Sequence, residues 1–502
     1  MELTIERAPR ASAPGRPAGA PVYRQIADQI RERVQEGTLL PGDRLPPIRE
    51  LAHELGVNRD TVSTAYETLA SEGVLDARVG RGTFVRGLRP RDPRRTAPTE
   101  TPLAAGTERL LDFERSRVAY GAADDAIRLH ALKPDPALFP VEAFRRTLNR
   151  TFAARGAALL DYGDPQGDGP LREAIAERLS AAGTRVAANE VILCQGASQG
   201  ISLAMRLFAE AGDTLAVEEP TYHNALAAST ALGMRTTPIP MRPGGADLDA
   251  LDRALARPEV KLFYSIPTFH NPMGTTTSLA HRQELLQIAA RHGKPVLEDA
   301  YEMDLRLSGR PVPSLLGLDE EGLVVQLLSF SKSLFPGLRC GAVVGRGRHV
   351  EALLALRHAA DLGGALPLQA ALGDFVRNGA YDRHLASLRR RLRERRDALV
   401  ESLREEMPDG THWERPEGGY QVWVELPEPL DTRELFVDAV RAGVLFAPGY
   451  QFLQDGRASR GMRLSIALAT PAEIRRGIAL LGALVRDRLR EQGAHRAGRI
   501  DV

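Results

Sequence analysis

The stretch SFSKSLFPGLR, residues 329–339, places Lys332 among hydroxyl side chains and Arg339 seven positions further on. A lysine amine at the mouth of a sheet, partly desolvated, has its pKa lowered and condenses with aldehydes. An arginine fork holds two oxygens of a phosphate, and the hydroxyls of Ser329 and Ser331 add donors. Amine plus phosphate clamp points to pyridoxal 5'-phosphate (PLP). Four other fragments carry complementary groups. In LCQGASQG (193–200) a strand end runs into small residues that open a helix, so the backbone N–H groups of Ala197, Ser198 and Gln199 can meet a phosphate. Asp299, in EDAY (298–301), offers a carboxylate that would keep a pyridine nitrogen protonated and make the ring an electron sink. Asn271, in HNPMG (270–274), has an amide suited to a phenolic oxygen, and Tyr222, in EEPTY (218–222), has a face on which a ring can stack. Singly, each fragment also has an ordinary structural reading: a surface lysine in a polar turn, a glycine-rich turn, a helix cap, an Asn-Pro turn, a packed aromatic.

Such groups must be held at strand ends, and the sequence supplies strands. EVILC (190–194), TLAVEE (214–219), VKLFYSI (260–266), PVLEDA (295–300) and LVVQLLSF (323–330) are short apolar runs separated by helical stretches. That alternation predicts an α/β fold with a mostly parallel sheet covered on both faces. From about residue 380 a helix-rich segment encloses YQVWVEL (420–426) and MRLSIAL (462–468), which predicts a smaller C-terminal α+β lobe.

The first ninety residues read differently. Val22, Ile26, Ile30 and Val34 recur at a spacing of four and predict an amphipathic helix. A short helix over 47–54, a turn at 55–57 and a helix from Arg59 to Ser71 make a helix-turn-helix pattern. VLDARVGRGTFV then alternates around Gly80-Arg81-Gly82 and predicts a hairpin wing with a basic tip. The expected organisation is a disordered tail (1–19), a winged helix-turn-helix (20–88), a linker rich in Pro, Thr and Arg (89–125), the PLP-binding α/β domain (126–485) and a tail (486–502).

Composition bounds the rest. The 502 residues exceed one typical core, and a formal charge of +1 confines any nucleic-acid affinity to a local patch. Cys194 and Cys340 are the only cysteines and no Cys/His group has zinc spacing, so neither a disulfide framework nor a structural metal is expected. The N-terminus has no apolar core of an export signal and no long uncharged apolar run occurs, so a cytoplasmic protein without membrane spans is expected.

Asn-Pro-x-Gly, Asp-x-Tyr, Ser-x-Ser-Lys and Pro-Gly-x-Arg, in this order, resemble the fold-type I aminotransferases. LPPIRELAHELGVNRDTVSTAYETLASEG resembles GntR-type DNA-binding domains, and the two together resemble the MocR/GabR subfamily of regulators over residues 20–88 and 126–485. The resemblance implies that Lys332 forms the internal aldimine, Asp299 pairs the pyridine nitrogen, and Asn271 and Tyr301 bond the phenolic oxygen. It implies further that Tyr222 stacks on the ring, that Ala197, Ser198, Gln199, Ser329 and Arg339 hold the phosphate, and that Tyr162 is lent to the neighbouring subunit's phosphate site. Arg463, in MRLSIAL, matches the arginine that grips an effector α-carboxylate. PTYHNALAA lacks the second anion-binding arginine of GABA-responsive members, and PTFHNPMG is closer to working aminotransferases, so an α-amino acid is favoured over GABA.

In the head, Arg49 suits phosphate contacts, Asn58, Arg59, Thr61 and Ser63 open the helix that would enter the major groove, and Arg81 suits a backbone or minor-groove contact. The expected function is a PLP-dependent regulator binding double-stranded operator DNA and sensing an amino acid or amine by aldimine exchange at Lys332, as a homodimer that the resemblance suggests is head-to-tail. The alternatives are an active α-amino-acid aminotransferase with an accessory head, and a domain kept only as a dimerisation scaffold.

Overall fold

Helix α1 (Val22–Gln35) opens the N-terminal part and is followed by α2 (Ile48–Leu55), α3 (Arg59–Ser71), β1 (Leu75–Arg78) and β2 (Gly82–Val85) in the computed structural model. The structure describes residues 21–497 apart from 36–37, 41, 73, 79–81, 86–100, 119 and 121–124. The expected tail 1–19, the wing tip with Arg81 and much of the expected linker therefore lie outside the described residues. By internal contacts the chain divides into two compact units, residues 1–102 and 103–502.

In the N-terminal unit Ile26 and Ile30 are fully buried against Leu51, Val62, Ala65 and Leu69, so the four-residue spacing of α1 is its core face. Gly56, in the left-handed region at φ 61°, ends α2 and lets the chain turn into α3. Strands β1 and β2 pair antiparallel from Leu75↔Val85 to Arg78↔Gly82, giving the expected winged helix-turn-helix.

The C-terminal unit is built on β3 (Val191–Cys194), β4 (Thr214–Glu219), β5 (Arg235–Arg242), β6 (Gly245–Ala246), β7 (Val260–Ser265), β8 (Val296–Asp299), β9 (Val324–Ser329) and β10 (Gly341–Val344). They form one sheet in the order β3-β10-β9-β8-β7-β4-β5-β6, parallel from β9 through β5. Strand β10 runs antiparallel between β9 and β3. The core strands are mainly apolar because both faces are covered, with separate buried clusters on the two sides. A second sheet of β11 (His412–Trp413), β12 (Gln421–Glu425), β13 (Ala447–Pro448) and β14 (Gly461–Ser465), with long helices over Ala380–Glu406 and Pro471–Ala497, forms the expected smaller lobe.

One expectation needs correcting. The interval read as linker, 89–125, contains α4 (Ala105–Arg115), which belongs to the C-terminal unit and packs on the helix His223–Ala231. The Pro-, Thr- and Arg-rich surroundings masked a short apolar face centred on Phe113, which packs against the buried cluster beneath. Among the described residues no helix is long and apolar enough to cross a membrane, and no group of His, Cys, Asp or Glu is arranged to hold a metal ion.

Candidate functional site

Beyond the C-terminal ends of β8 and β9 lies a cavity of about 220 Å³ to which Lys332, Asp299, Asn271, Tyr222, Tyr301, Ser329, Ser331, Arg339, Ala197 and Ser198 all contribute. Residues chosen by type and order along the chain thus converge on one space. Lys332 follows β9, and its Nζ donates to the Leu132 carbonyl at 2.8 Å. Tyr420 Oη fixes the lysine's backbone by donating to its carbonyl at 2.8 Å. Burial pushes the amine below its ordinary pKa, Glu302 opposes that shift and Arg463 adds to it.

One end of the cavity is built for an anion. Helix Ala197–Phe208 starts there, so its first N–H groups and the positive end of its dipole face the space beside Ala197 and Ser198. Gly196, which caps it, has φ 81° and ψ 170°, and a Cβ on it would stand 2.8 Å from Arg339 Nη2. Arg339 itself is held at φ 47°, a left-handed conformation uncommon for a residue with a side chain, and donates to the Gln195 carbonyl at 3.0 Å.

The Asp299 carboxylate is a second built feature. Tyr264 donates to its Oδ2 at 2.7 Å, while Oδ1 is buried and has no partner among the described residues. Burial raises this carboxyl to a pKa of about 6, against the lowering effect of Tyr264. An unpaired buried carboxylate oxygen in a cavity wall calls for a donor from a ligand.

Along the wall, Asn224 Nδ2 donates to Tyr222 Oη at 3.0 Å, and burial pushes that phenol up to about 12. Asn271 Oδ1 accepts from Arg463 Nη1 at 3.0 Å, and Arg463 Nη2 donates to the His130 carbonyl at 2.8 Å. Arg463 is buried, its Nε is unpaired, and it meets no carboxylate among the described residues. Burial lowers its pKa, with the phenols of Tyr120 and Tyr301 and the Glu302 carboxyl opposing that. A buried guanidinium bonded only to neutral oxygens is a seat for an external carboxylate. Two aromatic contacts tie α4 and the segment after it to this region: Phe113 stacks on His223 (4.6 Å between centroids) and Tyr120 on His130 (4.1 Å).

Two of the expected residues do not line this cavity with their side chains. The Gln199 side chain turns away from the cavity, accepting from Gln195 N at 2.8 Å and donating to Asp361, so only its backbone N–H can serve an anion. Tyr162 is 82% exposed and does not line this chain's cavity. Conversely Leu132, Asn224 and Pro336 line the cavity without having been singled out. Asn224 stands two residues beyond Tyr222, whereas nothing in the type of Leu132 marked it.

In the head, Arg49 and Arg59 are exposed at the starts of α2 and α3. Asn58 is the N-cap of α3, its Oδ1 accepting from Asp60 N at 3.3 Å, and Ser63 Oγ donates to Glu67 at 3.0 Å. Those two side chains are partly committed to the helix, and Thr61 is half-buried, whereas Arg59 is exposed. Arg44, which the sequence reading did not single out, is exposed, and its guanidinium lies over Gly82 at the tip end of the wing's ladder, 2.8 Å from where a Cβ would be.

A winged helix-turn-helix fused to an aminotransferase fold defines a DNA-binding regulator built on an enzyme scaffold. Residues 132–481 match the family described as aminotransferase class I and II, and residues 22–85 match the bacterial regulatory proteins of the gntR family. The chain belongs to the aminotransferase class I and II family and is a GntR-type regulator carrying that domain. It is similar to the probable rhizopine catabolism regulatory protein MocR of Rhizobium meliloti, 32% identical over 92% of this chain and 93% of that protein. It is also 30% identical to the HTH-type transcriptional regulator YisV of Bacillus subtilis, over 93% of this chain and 96% of its relative. Among solved structures, the α-aminoadipate aminotransferase LysN of Thermus thermophilus, complexed with N-(5'-phosphopyridoxyl)-L-leucine, superposes with a TM-score of 0.70. It is 30% identical and covers 77% of this chain and 98% of its own.

Proposed function

We propose that this protein is a PLP-dependent transcriptional regulator that binds operator DNA through its head and senses an amino compound in the cavity at Lys332. The observation that carries the reading is the placing of Lys332 between an anion seat and the unpaired Asp299 carboxylate in one cavity. When bound, PLP supplies an aldehyde that condenses with amines and a ring that accepts electron density. The first N–H groups after Gly196, with Ser329, Ser331 and Arg339, would hold its phosphate; Asp299 would accept from its ring nitrogen; Asn271 and Tyr301 would bond its phenolic oxygen; Tyr222 would lie against its face. Lys332 would attach it, through an amine whose burial leaves it readier to lose its proton at neutral pH.

Arg463 positions the amino compound by its carboxylate, exchanging the Asn271 and His130 oxygens for a charged partner. To act as a signal, the compound must favour one conformation of the protein over another; turnover is not required. Exposed Tyr162 fits a homodimer in which each subunit lends this ring to the other's anion seat, and the setting is the cytoplasm. Absorbance titration of the purified protein with a panel of amino acids tests the reading. An amino acid should shift a visible band that is absent in Lys332→Ala, and a protein that takes up no PLP refutes it.

A second reading, a working aminotransferase with a DNA-binding head, is favoured by the same complete set of residues. Turnover of amino and keto acid pairs by the wild type and not by Lys332→Ala decides for it.

A further inference from the structure

Tyr301 faces the cavity beside Asn271 and Asp299. A phenol has one proton to give and lone pairs to fill, so its neighbours decide where the proton points. Gln421 Nε2, on β12, lies 2.6 Å from Tyr301 Oη, 2.8 Å from the Phe269 carbonyl, 3.3 Å from the His270 carbonyl and 3.2 Å from Glu302 Oε2. Two carbonyls and a carboxylate around one nitrogen fix the amide's orientation, because the reversed amide would set its own oxygen against all three. The amide therefore donates to Tyr301. Of the other acceptors behind the phenol, the Glu302 carboxyl is taken by the Gln421 amide and Tyr420 N, and the Phe269 carbonyl is 3.4 Å away and already takes the amide at 2.8 Å. That separation exceeds the usual O–H···O range of about 2.5–3.0 Å. The proton is left to point into the cavity.

The support behind Gln421 is equally built. Glu302 is buried, its Oε2 accepting from Tyr420 N at 3.3 Å as well as from Gln421. A Cβ on Gly419 would come within 2.5 Å of that oxygen, and one on Gly274 within 2.5 Å of the Gln421 carbonyl. The two glycines thus let the carboxylate, β12 and the Asn-Pro turn close on one another. None of these groups lines the cavity itself, and the Gln421 amide reaches it through Tyr301.

We propose that Gln421, held by Glu302, is a positioning residue that makes the Tyr301 hydroxyl an obligate donor toward the cavity, where it stabilises a negatively charged oxygen. The proposal rests on the PLP reading, in which that oxygen is the ring's phenolic oxygen, approached also by the Asn271 amide that Arg463 orients through Asn271 Oδ1.

The test is a pH titration of the visible band of the full-length PLP-loaded protein. Without the amide, Phe269 O is free to accept the Tyr301 proton, the charged oxygen loses a donor, and protonation of the chromophore becomes easier. Gln421→Met should raise the band's apparent pKa by about one unit, a tenfold change in the proton equilibrium. Tyr301→Phe should raise it similarly, and the double variant no further, because both remove the same donor. The charged groups acting on the hydroxyl are Glu302, Asp299 and Arg463, none of them replaced in the three variants; Glu302 loses its Gln421 donor in two of them. Gln421→Leu gives a second reading if the methionine variant does not fold, since it also lacks the donor. An unchanged titration in whichever variant folds, or additive shifts in the double variant, overturns the proposal. A wild-type protein that forms no visible band overturns the PLP reading instead.

Discussion

Gly196→Ala separates the anion seat from the rest of the site. At φ 81° and ψ 170° Gly196 occupies a region essentially reserved for glycine, so alanine there costs about 1–3 kcal/mol of stability. That strain is present with and without ligand and cancels from the binding equilibrium. The contact does not cancel: the new Cβ would lie 2.8 Å from Arg339 Nη2 and 3.1 Å from Cζ, so the guanidinium must move off the cup. A charge-assisted hydrogen bond is worth about 1.5–3 kcal/mol, so affinity for PLP should fall roughly 10- to 150-fold. Equilibrium dialysis of apoprotein against PLP measures this, and pyridoxal, which lacks the phosphate, is the control whose affinity should stay within about twofold, a change of about 0.4 kcal/mol. Equal losses for both ligands, or no loss for PLP, would show that Arg339 does not hold the phosphate.

Borohydride reduction followed by peptide mapping should place the PLP label on Lys332 and nowhere in Lys332→Ala; label on a lysine outside 329–341 would count against the site. Arg59→Ala should cost about 1–3 kcal/mol on specific DNA and little on random sequence, measured by titration at fixed salt; equal losses would remove its base-reading role. Arg463→Ala should weaken the response to an α-amino acid by roughly 10- to 150-fold while leaving PLP attached at Lys332, and GABA as the strongest ligand would refute this assignment of the pocket. The Asp299 pKa is raised to about 6, so between the unfolded value near 3.8 and 6 the folded apoprotein binds more protons than the unfolded chain, and stability falls as pH rises through that window. Apo Asp299→Asn should therefore melt above the wild type at pH 7, with the gap closing below about pH 4, while its affinity for PLP is reduced; calorimetry across pH checks the sign.

The elements that a one-dimensional pattern reveals are those whose residues all answer to one environment. β4, β7, β8 and β9 are buried on both faces and read as mainly apolar runs. β5 does not, because Pro238 and Pro240 interrupt its pattern, and they are tolerated where the ladder beyond is the two-residue β6. β10 was hidden by its shortness and its glycine start. For the site, side chains with distinctive chemistry were found at once: Lys332, Asp299 and Arg339 converge as their types suggested. Glu302 and Gln421 escaped because their meaning exists only in contact, across 119 positions of sequence. Gln199 was chosen for its backbone at a helix start, and sequence does not say where the side chain above that backbone turns.

The stacking of Phe113 on His223 decides where this chain can be divided. His223 follows Tyr222, and α4 covers the helix it begins, with Phe113 seated on the buried cluster that includes Ala225 and Leu226. A truncated chain starting at residue 126 would strip that cover and leave apolar surface exposed next to the cavity. One starting at 103 would keep it, so exchange of heads between relatives should preserve α4 with the recipient's body. A graft that brings a foreign α4 along with its head should lose solubility or PLP occupancy before it loses DNA binding, because the mismatch would fall on the wall of the effector pocket.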